Sequence, residues 1–146
     1  MSSRELRHEV EIDAPAERVW QVLVNTADYG WNPFIHRLEG TLAVKERLRV
    51  EIKPPDGRAM TFRPTVLEVE PARRLRWIGR SLMPGLLDGE HRFELEALSD
   101  GRTRFIQSER FSGVLVGLFG GTLAKTEKGF AAMNAALKAK VEGATQ

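Results

Sequence analysis

Four polar side chains occupy positions where the chain's own pattern calls for apolar ones. His8 shares one side of the alternation Leu6, His8, Val10, Ile12, opposite Arg7, Glu9 and Glu11. His91 is in step with Phe93 and Leu95, and Gln107 and Glu109 are in step with Thr103, Phe105 and Phe111. Burying such a group unpaired costs roughly 1–3 kcal/mol, so these groups must pair with one another or meet water in a hollow. Imidazole beside a carboxylate suits proton transfer at neutral pH, which makes His91, Glu109 and His8 the candidate catalytic residues. The same groups could instead orient the polar end of a bound molecule, or close an internal hydrogen bond that only fills space.

A hollow of this kind needs apolar walls, and Phe62, Trp77, Phe93 and Phe130 are the candidates. Trp31, just before Asn32-Pro33, is placed at an entrance. Asn134 and Glu127 border the apolar stripe of the last helical segment, where they either reach inward or face water. The candidate ligand-binding set is therefore His8, Trp31, Phe62, Trp77, His91, Phe93, Gln107, Glu109, Phe130 and Asn134. His36 reads as a surface histidine, Asn32 as a turn residue and Trp20 as core or cavity wall. His8, His91 and Glu109 lack metal-ligand spacing, so no metal and no cofactor are expected. No nucleophile-elbow motif is present. Gly113-x3-Gly117-x2-Gly120-Gly121 precedes a helix but lacks the Gly-Lys-Ser/Thr ending of a phosphate loop; it reads as a flexible gate.

The elements that must position these groups are legible from periodicity. Residues 4–12 alternate as a half-buried strand. Pro15 opens a helix to about Asn25, with Pro15 at its first position and Ala16, Val19, Trp20 and Leu23 on one face. Strands follow around Leu48, Val50 and Ile52; around Met60 and Phe62; over Val66–Val69, with a bulge or bend near Pro64; around Leu75 and Trp77; around His91, Phe93 and Leu95; and over Thr103–Phe111. Pro54-Pro55-Asp56-Gly57, Glu70-Pro71-Ala72 and Ser99-Asp100-Gly101 are the turns, and Ser81–Gly89 is a loop. A final amphipathic helix, about 118–142, carries Phe119, Leu123, Thr126, Phe130, Met133, Leu137 and Val141 on one stripe. The order predicts an α+β domain over 1–146, in which a curved antiparallel sheet of about seven strands wraps a long C-terminal helix.

Bulk composition narrows the function classes. The chain has 146 residues, 42% hydrophobic and 29% charged, with a net charge of +2, so a general polyanion or nucleic-acid partner gets no support. Arginines and glutamates interleave along the strands, as on a solvated sheet face. There is no cysteine, which removes disulfides and thiol chemistry. No stretch reaches the ~20 apolar residues of a membrane span, so no stable membrane insertion is expected, and the default location is the cytoplasm.

Several segments in order carry a family resemblance. Ile12-Asp13-Ala14-Pro15-Ala16-Glu17-Arg18-Val19-Trp20, Trp31-Asn32-Pro33-Phe34-Ile35, Glu70-Pro71-Ala72-Arg73-Arg74-Leu75-Arg76-Trp77, Gly89-Glu90-His91-Arg92-Phe93-Glu94-Leu95 and Glu109-Arg110-Phe111-Ser112-Gly113 resemble the START-related helix-grip superfamily. That superfamily (SRPBCC) includes polyketide cyclase/dehydrase and lipid-transport-like proteins. The resemblance covers nearly the whole chain. It implies two short helices after the first strand, first and last strands side by side, and a deep cavity between sheet and long helix. His8 would then lie close to Gln107 or Glu109.

The fold hosts many activities. Three functions follow as expectations: binding of a hydrophobic or aromatic small molecule in the cavity; a cyclase or dehydratase using a cavity His/Glu pair; or an interaction domain with a filled cavity. The apolar 114–119 segment could also support a homodimer.

Overall fold

The computed structural model describes residues 3–81, 87–118 and 120–143. The chain runs β1 (Ser3–Ile12), α1 (Ala16–Val24), β2 (Ile35–Glu39), β3 (Arg49–Ile52), β4 (Met60–Phe62), β5 (Thr65–Glu70), β6 (Arg74–Ser81), β7 (Leu87–Ala97), β8 (Thr103–Ser112), a 3-10 turn (Val116–Leu118) and α2 (Gly120–Gly143). Five strands form one antiparallel sheet in the order β1-β8-β7-β6-β5, and β2-β3-β4 form a second. The Arg47–Thr65 bridge ties the two together. The fold is the helix-grip fold expected, with two differences. There are eight strands rather than about seven, because β2 has a burial pattern too short for clean alternation: only Ile35 and Leu38 are buried. One helix, not two, follows β1, and Thr26–Pro33 remains a chain of turns.

Local chemistry accounts for the boundaries. Pro15 is the N-cap of α1, one position outside the helix, with extended backbone at φ −70° and ψ 157°. Ala16, Val19 and Leu23 are buried and Trp20 half-buried, the amphipathic face read from spacing. Beyond α1, the hydroxyl of Tyr29 donates to the Leu23 carbonyl, and burial pushes its phenol well above the ordinary range. Asn32 Oδ1 accepts from the N–H groups of Phe34 and Ile35 at 2.9 and 2.8 Å, an Asx turn that starts β2. Asp56 adopts a left-handed φ of 59° in the β3–β4 turn, tolerated by an Asp that can bond locally.

Bending comes where the prolines stand. The chain leaves the second sheet at Arg63-Pro64, and a register shift between Val66 and Glu68 follows at once in β5. This turns the strands from one sheet into the other and opens the concave side toward α2. The stripe of α2 is buried at Leu123, Thr126, Phe130, Met133, Leu137 and Val141. Phe119 and residues 82–86, part of the expected Ser81–Gly89 loop, lie outside the described residues, whereas Leu87–Gly89 belong to β7.

The outer face of the large sheet carries the expected charge alternation. Arg76 binds Glu68 at 2.7 Å and Glu90 at 2.8 Å, and Arg92 continues the ladder to Glu90 at 3.1 Å. The Arg76 hydrogen bond, aided by Arg74, holds the Glu68 carboxyl below its ordinary range. Ile106 and Ser108 are buried although they point outward. Ile106 sits between Glu9 and Glu94 in the register, where long ion-paired side chains shield it.

Helix and loop meet closely at one point. A Cβ on Gly129 of α2 would lie 2.3 Å from the Phe34 ring. Gly129→Ala should therefore lower stability by about 1–3 kcal/mol in urea unfolding, although alanine alone improves helix propensity by about 1 kcal/mol. Phe34→Leu in the same chain should recover part of the loss. A neutral Gly129→Ala would show that the ring moves freely, contrary to this packing.

Candidate functional site

The register of β1, β8, β7 and β6 brings inward residues into rows. One row is Leu6, Glu109, His91, Trp77; the next toward the closed end of the sheet is His8, Gln107, Phe93, Leu75; the next toward the helix start is Arg4, Phe111, Gly89, Gly79. Directly opposed residues of antiparallel strands point to the same face, so Glu109 and His91 must meet. His91 Nδ1 lies 3.0 Å from Glu109 Oε1. On its other side, His91 Nε2 lies 3.0 Å from Gln107 Oε1, and Gln107 Nε2 donates to Asn134 Oδ1 of α2 at 2.9 Å. A chain of four polar side chains thus runs from the sheet into the helix. Its members are deeply set: His91 is 5% exposed, Asn134 3% and Gln107 0%. The Asn134 Nδ2 at its end has no partner.

Aromatic rings clamp the imidazole. Phe93 is 4.5 Å away between ring centres, Phe130 5.1 Å and Trp77 5.3 Å. Gly89 explains where the Glu109 carboxylate goes. A Cβ there would fall 2.3 Å from Glu109 Oε2, so only the missing side chain lets the carboxylate lie over β7. Gly79, paired with Gly89 across the strands, is different: a Cβ there would meet nothing within 4 Å.

Above this pair is a cavity of about 210 Å³. The large sheet contributes Trp77, Gly79, Gly89, His91, Glu109 and Phe111; the second sheet contributes Val50, Ile52, Met60 and Phe62. Phe34, Ile35, Pro64 and Leu87 fill in the wall, and α2 closes it with Leu123, Thr126 and the exposed Thr122. The interior is therefore hollow rather than filled, as two of the three expected functions require.

Of the ten candidate ligand-binding residues, Phe62, Trp77, His91 and Glu109 line the cavity. Gln107, Asn134, Phe93 and Phe130 do not; they form the layer under His91. His8 faces inward beside Gln107, as expected, but it does not line the cavity: its Nε2 reaches Glu127 Oε1 of α2 at 3.3 Å, both side chains being partly exposed. Register correctly sets it beside Gln107, in a row that lies beyond the cavity. Trp31 is a correction: it packs edge-on against Tyr29 at 5.3 Å beside α1, away from the cavity. His36 is exposed and its Nε2 lies 3.1 Å from the Pro33 carbonyl. Of the expected gate, Gly113–Gly121, residues 113–118 form a turn in which Val116 is buried and Val114 and Leu118 are exposed, Gly120 and Gly121 begin α2, and Phe119 lies outside the described residues. Among the residues that sequence reasoning missed, Gly79 and Gly89 are the most informative. Their only signal was a pair of glycines in step with Trp77 and His91, visible once the strands are paired. No group of three metal-ligating side chains occurs among the described residues, and no described helix is long and apolar enough to cross a membrane.

Comparison with known proteins places this geometry. Residues 3–142 match the family described as polyketide cyclase / dehydrase and lipid transport. The Zhui aromatase/cyclase from Streptomyces sp. R1128 superposes with a TM-score of 0.79 at 19% identity, over 99% of this chain and 97% of that one. The protein TTHA0849 from Thermus thermophilus gives 0.75 at 16% identity, over 98% and 100%. The hypothetical protein jhp0584 from Helicobacter pylori gives 0.74 at 21% identity, over 94% and 88%. A search of curated protein sequences returned no match.

Proposed function

Because the chain belongs to the polyketide cyclase/dehydrase and lipid transport family, of the SRPBCC helix-grip superfamily, we propose that it binds an apolar or aromatic small molecule in the cavity between sheet and α2. The observation that carries this reading is the hollow itself: about 210 Å³ of space with aromatic and aliphatic walls and one hydrogen-bonded polar pair at its surface. An apolar hole of about 150 Å³ holds one benzene ring, so this one admits a ligand near two fused rings. Burial at roughly 25 cal/mol per Å² supplies the affinity, and the few polar groups set orientation.

Gly79 provides the test. It stands on the cavity wall with open space where its side chain would be, so Gly79→Leu fills the hollow from a strand position that glycine itself weakens. A saturating apolar ligand at about 100 times Kd should stabilise the native protein by about 2.7 kcal/mol, a rise in Tm of roughly 8 °C. Gly79→Leu should abolish that rise without lowering the Tm of the free protein. An unchanged ligand response in the plugged variant would place the ligand elsewhere. Native mass spectrometry of protein purified without denaturation would then identify the bound class directly.

A second reading is a cyclase or dehydratase. It is favoured by the 3.0 Å contact of His91 with Glu109 at the cavity surface, in which Glu109 Oε2 would take or return a substrate proton and His91 would share the charge. Turnover lost in His91→Ala with ligand affinity kept would support it.

A further inference from the structure

We infer that the cavity selects ligands whose polar end donates a hydrogen bond, such as a hydroxyl, and rejects carboxylates, because Glu109 Oε2 is held over Gly89 as an acceptor on a wall that carries no Lys or Arg among the described residues. The inference rests on the cavity-ligand reading above and specifies its chemistry.

Gln107 donates through Nε2 to Asn134 Oδ1, so its Oε1 must accept, and His91 Nε2 carries a hydrogen toward it. The contact between His91 Nδ1 and Glu109 Oε1 then holds one proton, on either the ring or the carboxyl. With the proton on the ring, Glu109 is a carboxylate and Oε2 accepts. With the proton on Oε1, Oε2 is the carbonyl oxygen of the acid and still accepts. Turning both amides around reverses the far end of the chain: Gln107 then donates to His91 Nε2, Nδ1–H donates to Glu109, and Oε2 accepts once more. In each of these arrangements Glu109 Oε2 is left without a proton and presents the same acceptor to the ligand.

The remaining polar groups do not offset this. Both ring nitrogens of His91 are used inside the wall. Thr126 spends its hydroxyl proton on the Thr122 carbonyl at 3.0 Å, and Thr122 stands at the exposed rim. Trp77 brings an indole, a neutral donor. No Lys or Arg lines the cavity among the described residues. A carboxylate entering here would lose its hydration with only neutral donors, the Trp77 indole and the rim hydroxyl of Thr122, to replace it, and would set its own oxygens against Glu109 Oε2. A hydroxyl on an aromatic ring finds its acceptor at once.

A matched set of two-ring probes tests this by tryptophan fluorescence titration: 2-naphthol, 2-methoxynaphthalene, naphthalene and 2-naphthoate. Native protein should bind 2-naphthol at least tenfold more tightly than its methyl ether, as expected for a hydrogen bond to a charged or charge-sharing acceptor, and 2-naphthoate weakest of the four. In Glu109→Met the naphthol advantage should vanish while naphthalene still binds. The native-protein ratio stands by itself should the variant fold poorly. Equal affinities for naphthol and its ether, or tight naphthoate binding, would overturn the donor rule and leave cavity binding intact. If none of the four bound, the cavity-ligand reading would fall and the donor rule with it.

Discussion

Replacing Phe130 by alanine should cost about 3–5 kcal/mol of unfolding free energy, the range for losing a fully buried phenylalanine. The ring is 0% exposed and sits where three layers meet. It packs edge-on against Phe34 at 5.7 Å and against His91 at 5.1 Å, so it links the loop before β2, the helix and the site. Its loss leaves a hole behind the imidazole that neighbouring strands cannot close without breaking their ladder. Phe130→Leu keeps most of the volume and should cost roughly 1.5 kcal/mol or less. Urea unfolding of both variants reads this directly. A loss under about 2 kcal/mol for the alanine variant would mean that the layer beneath the site collapses easily, and that His91 is positioned by its hydrogen bonds alone.

The second large effect belongs to Gln107. Gln107→Leu should cost about 2–4 kcal/mol, because it strands two buried polar groups at once, His91 Nε2 and Asn134 Oδ1, in a region closed to water. The penalty for an orphaned group exceeds the net value of the bond it made. Asn134→Leu added to Gln107→Leu should therefore be milder than the sum of the single changes, with a coupling of roughly 1–2 kcal/mol. Strict additivity would show that the two amides do not act as one unit. The double change also frees His91 to turn, so the preference for 2-naphthol over its methyl ether should shrink in it even where naphthalene binding persists.

His8 shows why some of the site was legible in the chain and some was not. Alternation assigns a residue to one face of a strand, and here it did so for His8, His91, Gln107 and Glu109 alike. It does not say how far along the strand the hollow extends. His91 and Glu109 share a row with Trp77 at the cavity; His8 lies one row away beside Gln107 and reaches Glu127 at the partly exposed edge. Gln107 and Asn134 illustrate a second limit. Each was a polar residue near an apolar stripe, but their hydrogen bond joins β8 to α2 across 27 residues, and helix rotation relative to the sheet is set by packing rather than by local pattern. Trp31 was misplaced for a related reason: the turns of Thr26–Pro33 have no period, so nothing local directed its ring toward Tyr29.

Sequence by itself determined the elements other than β2 and the number of helices after β1, their order, the inward face of each long strand and the family to which the chain belongs, because these follow from periodicity, turn chemistry and short motifs that act within a few residues. The tertiary structure alone decided that the interior is hollow, that Gly89 yields its side-chain space to Glu109, and that Gly79 leaves its own open. Cavity shape is the difference between what the strands enclose and what the side chains fill. It arises only when sheet curvature, strand register and helix placement are set together, and no segment carries that information alone.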